Sequence, residues 1–112
     1  MAGLGSIYDD YNRSWPRVFV GEYAAANGPV RTLRAAIAEA LFLLGLERNA
    51  DVVRAAAFAP LLSNVHGNAS RPCCGNQHNL LNVNATAVYA IPSFFAQQML
   101  RDSLGVSTLS TN

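Results

Sequence analysis

Charge is what this chain has least of. Only 13% of its 112 residues are Asp, Glu, Lys or Arg, about half the ~25% usual in soluble domains, while 51% are hydrophobic. A domain this small has a high surface-to-volume ratio and ordinarily needs more polar surface than average, not less. The composition therefore reads like the interior of something larger. With a formal net charge of +1, nothing electrostatic argues for nucleic acid or a membrane surface as a partner. Long apolar runs are missing too. Ala35 to Leu46 is interrupted by Glu39 and falls short of the ~18 residues that a membrane span needs, so it reads as a buried helix.

Cysteine is nearly absent, and the two present, Cys73 and Cys74, are adjacent. Neighbouring residues do not normally reach disulfide geometry, and no His or Cys stands at zinc spacing around them. Two incidental loop thiols are favoured over a redox pair or metal ligands, and neither a metal nor a cofactor is expected. The opening MAGLGSIYDDYNRSW has no basic n-region and no apolar core, so it is not a secretory leader. A signal peptide would have to precede Met1, and would make the protein extracellular.

What is present is a strand–helix–strand–helix order. In RVFVGEY, Arg17 to Gly21 reads as a strand, because Val and Phe are strong β formers. Period 2 puts Val18, Val20 and Glu22 on one face and Phe19, Gly21 and Tyr23 on the other. AAANGPV is a turn-bearing loop. Thr32 suits an N-cap, and Leu33, Ile37, Leu41 and Leu44 then share one face of a helix, whose last turn Gly45 weakens. DVVRAAAFAPLL is ambiguous. A helical turn over Asp51–Arg54 followed by a strand from about Ala56 to Leu62 is the reading adopted. Residues 63–86 form an Asn-, Gly- and His-rich loop, with His66 and His78 as loop histidines. Pro92 opens an amphipathic helix over Ser93–Leu104, closed by Gly105.

Alternating strands and helices imply parallel strands with crossover helices. Two such strands leave open sheet edges, which again points to a piece of a larger sheet. In barrels of parallel strands, chemistry gathers at the C-terminal strand ends. Glu22 stands at such an end, on the face of Val18 and Val20, which would point it into a barrel interior. From the pattern alone, a solvated or salt-bridged glutamate is the commoner case.

The wider context is more specific. YDDYNRSWPRVFVGEYAA, AAIAEALFLLGLERNADVV, FAPLLSN and VYAIPSFFAQQML together resemble the α-L-arabinofuranosidases of glycoside hydrolase family 51, over roughly Tyr8 to Leu109. The resemblance implies an α/β fold, a fragment of a (β/α)8 TIM barrel covering its last two β/α units. Residues 1–107 would belong to the barrel, and 108–112 would lead into a following β-sandwich. It implies Glu22 as the catalytic nucleophile at the end of the seventh strand, and Asn64 as a sugar-facing residue after the eighth. It implies retaining hydrolysis of terminal arabinofuranosyl groups, with an arabinose-containing polysaccharide or oligosaccharide as substrate.

Retention uses two carboxyl groups about 5–5.5 Å apart. The family's acid/base glutamate lies upstream of anything in this chain, and neither Glu39 nor Glu47 replaces it. The chain alone is therefore expected to be inactive, needing the remainder of the barrel or a self-association partner to fold. Relatives carry a Trp-containing stretch where this chain has GNASRPCCGNQHNLL, and a Gly-Thr where it has Ala90-Ile91. These departures suit a diverged or decaying copy. The alternative is a short non-catalytic interaction protein whose apolar helix Leu33–Leu44 binds a partner. Asn12, Asn68 and Asn84 begin N-x-Ser/Thr sequons, which matter only in a secreted protein.

Overall fold

Two valines, Val52 and Val53, form the centre of the main apolar cluster with Leu46. In the computed structural model, which describes residues 3, 5–26, 30–64 and 78–105, a sheet and a helix meet there. Strand β1 (Val18–Tyr23) is followed by helix α1 (Leu33–Arg48) and strand β2 (Val53–Phe58). β1 and β2 pair in parallel, so α1 is the crossover of a βαβ unit. Tyr8, Tyr11, Val18, Val20, Phe42 and Leu43 close around the three central residues.

Thr32 caps α1 as expected, its Oγ1 accepting the Ala35 N–H at 3.3 Å. The helix runs through Gly45 to Arg48 and ends on Asn49. Gly45 is buried, and a Cβ there would collide with the backbone of Gly5. This glycine is a place of close approach rather than a weak last turn.

The Asp51–Arg54 helical turn is corrected. A turn covers residues 49–52, and Val53 and Arg54 already belong to β2. The amides of Val52 and Val53 both bond to Asn49 O, at 3.0 and 2.8 Å. The two β-branched side chains then enter the core as strand residues, which outweighs the helical preference of the alanines. β2 stops at Phe58 rather than Leu62. Pro60, whose peptide bond with Ala59 is cis, has no N–H to continue the ladder.

The expected loop 63–86 holds structure of its own. Strands β3 (Leu62–Asn64), β4 (Leu81–Val83) and β5 (Val88–Ala90) make a second sheet, β3–β4 parallel and β4–β5 antiparallel. The order is therefore not a simple strand–helix alternation: three short strands stand between β2 and the last helix. Asn84 shapes the β4–β5 turn, its Oδ1 accepting from the Thr86 and Ala87 amides at 2.9 and 2.7 Å. Helix α2 (Pro92–Arg101) begins at the proline, as its fixed φ favours. It ends before Leu104, with Asp102 as its C-cap.

Helices α1 and α2 pack against each other. The stripe expected to be buried is instead exposed: Leu33, Ile37, Leu41 and Leu44 are 68%, 53%, 48% and 47% accessible. The core uses the neighbouring face of α1, with Ala35, Ala36, Glu39, Gly45 and Leu46 buried. His66, Asn68, Cys73, Cys74 and the 108–112 tail lie outside the described residues.

Candidate active site at the strand exits

Parallel pairing brings the C-terminal ends of β1 and β2 to one edge of the sheet. The Ala59 N–H donates to Tyr23 O at 3.3 Å, so the chain leaving β2 starts beside the exit of β1. Glu22 lies within β1, which extends to Tyr23 rather than ending at Gly21.

The face expected for Glu22 is corrected by a register shift. Val20 pairs with Ala56 and Tyr23 with Phe58, so β1 takes one more residue than β2 over this interval. Such a bulge breaks the period-2 alternation. Val18 and Val20 pack into the cluster beside α1, which is the helix side of the sheet rather than a barrel interior. After the bulge, Tyr23 also turns to that side, its ring 5.5 Å from Phe42 of α1 and 5.4 Å from Phe58. Glu22, its neighbour along the pleat, is left exposed on the opposite side. Phe19, 66% accessible, is exposed there too.

Asn64 ends β3, in register with Val83 of β4, and is exposed. It is the fifth residue after Ala59, so topology puts it on the segment that leaves the same strand edge as Glu22. Asn79 secures that segment by donating from Nδ2 to Leu62 O at 3.0 Å. Arg31 ties the entry of α1 to β4 through Asn82 Oδ1 at 3.0 Å. His78, Asn79 and Asn82 are all buried.

The other carboxylates are used elsewhere. Glu47 is exposed in the last turn of α1. Glu39 is buried at 5% accessibility on the helix side, where its Oε1 accepts the Ala25 N–H at 2.8 Å. Sequence reasoning missed this contact. The signal available was a lone carboxylate inside an apolar helix, which must find a donor when buried. Burial, reinforced by the Glu39 charge, pushes the Tyr23 hydroxyl up to about 12. Among the described residues, no three His, Cys, Asp or Glu side chains gather as a metal site.

Parallel α/β sheets that carry chemistry do so at the C-terminal ends of their strands. Residues 9–112 match the family model of the α-L-arabinofuranosidase C-terminal domain. The chain is 34% identical to α-L-arabinofuranosidase 1 of Arabidopsis thaliana, covering 98% of this chain and 16% of the relative. It is 37% identical to the extracellular exo-α-L-arabinofuranosidase of Streptomyces chartreusis, covering 88% and 11%. The solved structure of arabinose-bound MgGH51 α-L-arabinofuranosidase aligns with a TM-score of 0.69 and 38% identity, over 85% of this chain and 16% of that one. This chain belongs to the family 51 α-L-arabinofuranosidases and corresponds to their C-terminal part. It spans about one sixth or less of the length of these relatives.

Proposed function

We propose that the chain supplies the nucleophile side of a retaining α-L-arabinofuranosidase site, with Glu22 as nucleophile and Asn64 as a sugar contact. The observation carrying this reading is the bulge in β1, which leaves Glu22 open at the exit of a parallel strand while Tyr23 anchors the backbone. In this reading β1, α1, β2 and α2 are the last two β/α units of a barrel, and β3–β5 elaborate the loop after the eighth strand. The relatives' names make terminal arabinofuranosyl groups of arabinose-containing glycans the substrate class. Export from the cell, as for the Streptomyces relative, fits such a substrate.

The chemistry runs in two displacements. A Glu22 carboxylate oxygen attacks the anomeric carbon from the face opposite the leaving group. As the new C–O bond forms, the glycosidic C–O bond breaks and its electron pair stays on the departing oxygen, which takes a proton from an acid. Water, deprotonated by the same group, then displaces Glu22 and restores the original configuration. That acid/base belongs to polypeptide outside this chain, and its loss alone costs ~10²–10⁴-fold in rate. The isolated chain is accordingly inactive.

The test is a hybrid enzyme in which residues 9–112 replace the matching segment of the Streptomyces relative. The hybrid is expected to hydrolyse an aryl α-L-arabinofuranoside, and Glu22→Gly to abolish turnover. Added azide should then restore cleavage and give an arabinofuranosyl azide of inverted configuration. Normal hydrolysis by Glu22→Gly would sink the nucleophile assignment.

A second reading takes its support from the exposed stripe Leu33, Ile37, Leu41 and Leu44. A contiguous apolar face of this kind suits a protein contact. In the leading reading that contact is the remainder of the barrel. In the alternative, a non-catalytic protein self-associates through it. A defined oligomer of the isolated chain in sedimentation, together with an inactive hybrid, would favour the alternative.

A further inference from the structure

Among the described residues, Glu39 is the one buried acidic side chain. Its neighbours on the inner face of α1 are Ala35, Ala36 and Leu46, and an apolar residue of the same volume would pack there without any cost of desolvating a charge. What Glu39 does instead is specific. Its Oε1 takes the N–H of Ala25, three residues beyond Glu22, at 2.8 Å. Its second oxygen, Oε2, is buried with no hydrogen-bond partner among the described residues. Glu39 also borders a cavity of about 230 Å³ that Tyr23, Ala24, Ala25, Ala38 and Phe42 complete.

Glu39 and Phe42 are three residues apart and so share one face of α1. Both reach the exit of β1. Phe42 holds the ring of Tyr23 at 5.5 Å, and Glu39 holds the amide of Ala25. Between them they grip the strand on the C-terminal side of the bulge, on the face opposite Glu22. A bulge loosens the local ladder, because one residue lacks its cross-strand partner. The orientation of Glu22 therefore depends on what fixes the residues just after it.

We propose that Glu39 is a positioning residue for Glu22: from α1 it holds the β1 exit through the Ala25 amide and so keeps the bulge that turns Glu22 to the open face. This rests on Glu22 being the reacting carboxylate. The role is mechanical rather than chemical, since Glu39 lies on the other side of the sheet from the sugar. It calls for an acceptor at Oε1 and not for a negative charge. Glutamine should serve, and an apolar residue of similar length should not.

The experiment is residue-resolved amide hydrogen exchange on the full 112-residue chain, as wild type, Glu39→Met and Glu39→Gln. Glu39→Met is expected to speed exchange at Ala25 on the order of 10- to 100-fold, the range for one hydrogen bond to a charged acceptor. Val18 to Val20 should be unchanged. The Glu22 carboxyl carbon shift should move in the same variant, and Glu39→Gln should return both signals to wild type. Unchanged Ala25 exchange in Glu39→Met overturns the proposal, as does a loss spread evenly over β1, α1 and β2. If Glu39→Met does not fold, the wild-type amide decides. Exchange at the unprotected rate overturns the proposal, and protection that Glu39→Gln retains supports it. The Glu22→Gly hybrid assay is separate, so an unsupported nucleophile and an unsupported tether give different results.

Discussion

Arg48 and Asp9, 39 residues apart in sequence, form a two-point ion pair. Arg48 Nη2 lies 2.8 and 2.7 Å from the two carboxylate oxygens, and Nε lies 3.2 Å from Oδ1. Asn49 adds a bond from Nδ2 to Asp9 Oδ1 at 2.8 Å. Arg13 completes the cluster, reaching Asn49 Oδ1 at 2.7 Å and Asp51 Oδ2 at 3.0 Å. Together these groups fasten the N-terminal segment to the end of α1 and the start of β2.

The cluster gives an acid-sensitivity prediction. The bonds from Arg48 and then Asn49 hold the Asp9 carboxyl below its ordinary value of 3.8. A lowered carboxyl pKa stabilises the fold above the unfolded value, and that contribution disappears as pH falls through the folded one. Thermal melts between pH 5 and pH 2 should show a loss that is smaller in Asp9→Asn. An identical slope in the two proteins would remove Asp9 from the account.

Tyr23 gives the opposite sign at alkaline pH. Its hydroxyl is pushed from 10.0 to about 12, by burial first and by Glu39 second. A raised pKa stabilises the fold fully below the unfolded value and is lost as pH rises toward the folded one. Urea midpoints should therefore fall between pH 10 and 12, and Tyr23→Phe should flatten that fall. A decline of the same steepness without the hydroxyl would assign it to another group.

At Gly45, helix propensity and packing disagree. Alanine is better than glycine by ~1 kcal/mol in a helix interior. Yet a Cβ here would come within 2.8 Å of Gly5 Cα and closer still to the Gly5 carbonyl. Packing against backbone should win, so Gly45→Ala is expected to lower the melting temperature. A rise would show that the N-terminal segment shifts at little cost.

The exposed stripe on α1 separates isolated from assembled behaviour. In the isolated chain, Ile37→Gln and Leu41→Gln should change stability by no more than about 0.5 kcal/mol, as usual for surface sites, and should raise solubility. In the hybrid enzyme the same substitutions should destabilise by about 2 kcal/mol or more, the range for buried apolar groups. Equal effects in both settings would mean that the stripe stays uncovered.

The sequence was most legible where local chemistry and tertiary packing agree. Thr32 capping α1 and Pro92 opening α2 are local events, and both appear where propensity puts them. Strands β3, β4 and β5 have three residues each, too few for any periodicity to register against an Asn-rich background. The β1 bulge was invisible because it exists only in the pairing with β2, and it separates Glu22 from the face of Val18 and Val20. The α1 stripe misled for a related reason. Apolar spacing reveals a face that is to be covered, and no described residue covers Leu33, Ile37, Leu41 and Leu44.

The charged cluster around Arg48 lies at the N-terminal end of β1 and β2, and Glu22 lies at the other. The fastening cluster and the proposed nucleophile thus occupy opposite poles of the same two strands. Substitutions at the exit of β1, around Glu22, leave Asp9, Arg13, Arg48 and Asn49 untouched. A lineage can rewrite the exit pole while the hold on both strands persists, so that pole can drift faster than the frame that carries it.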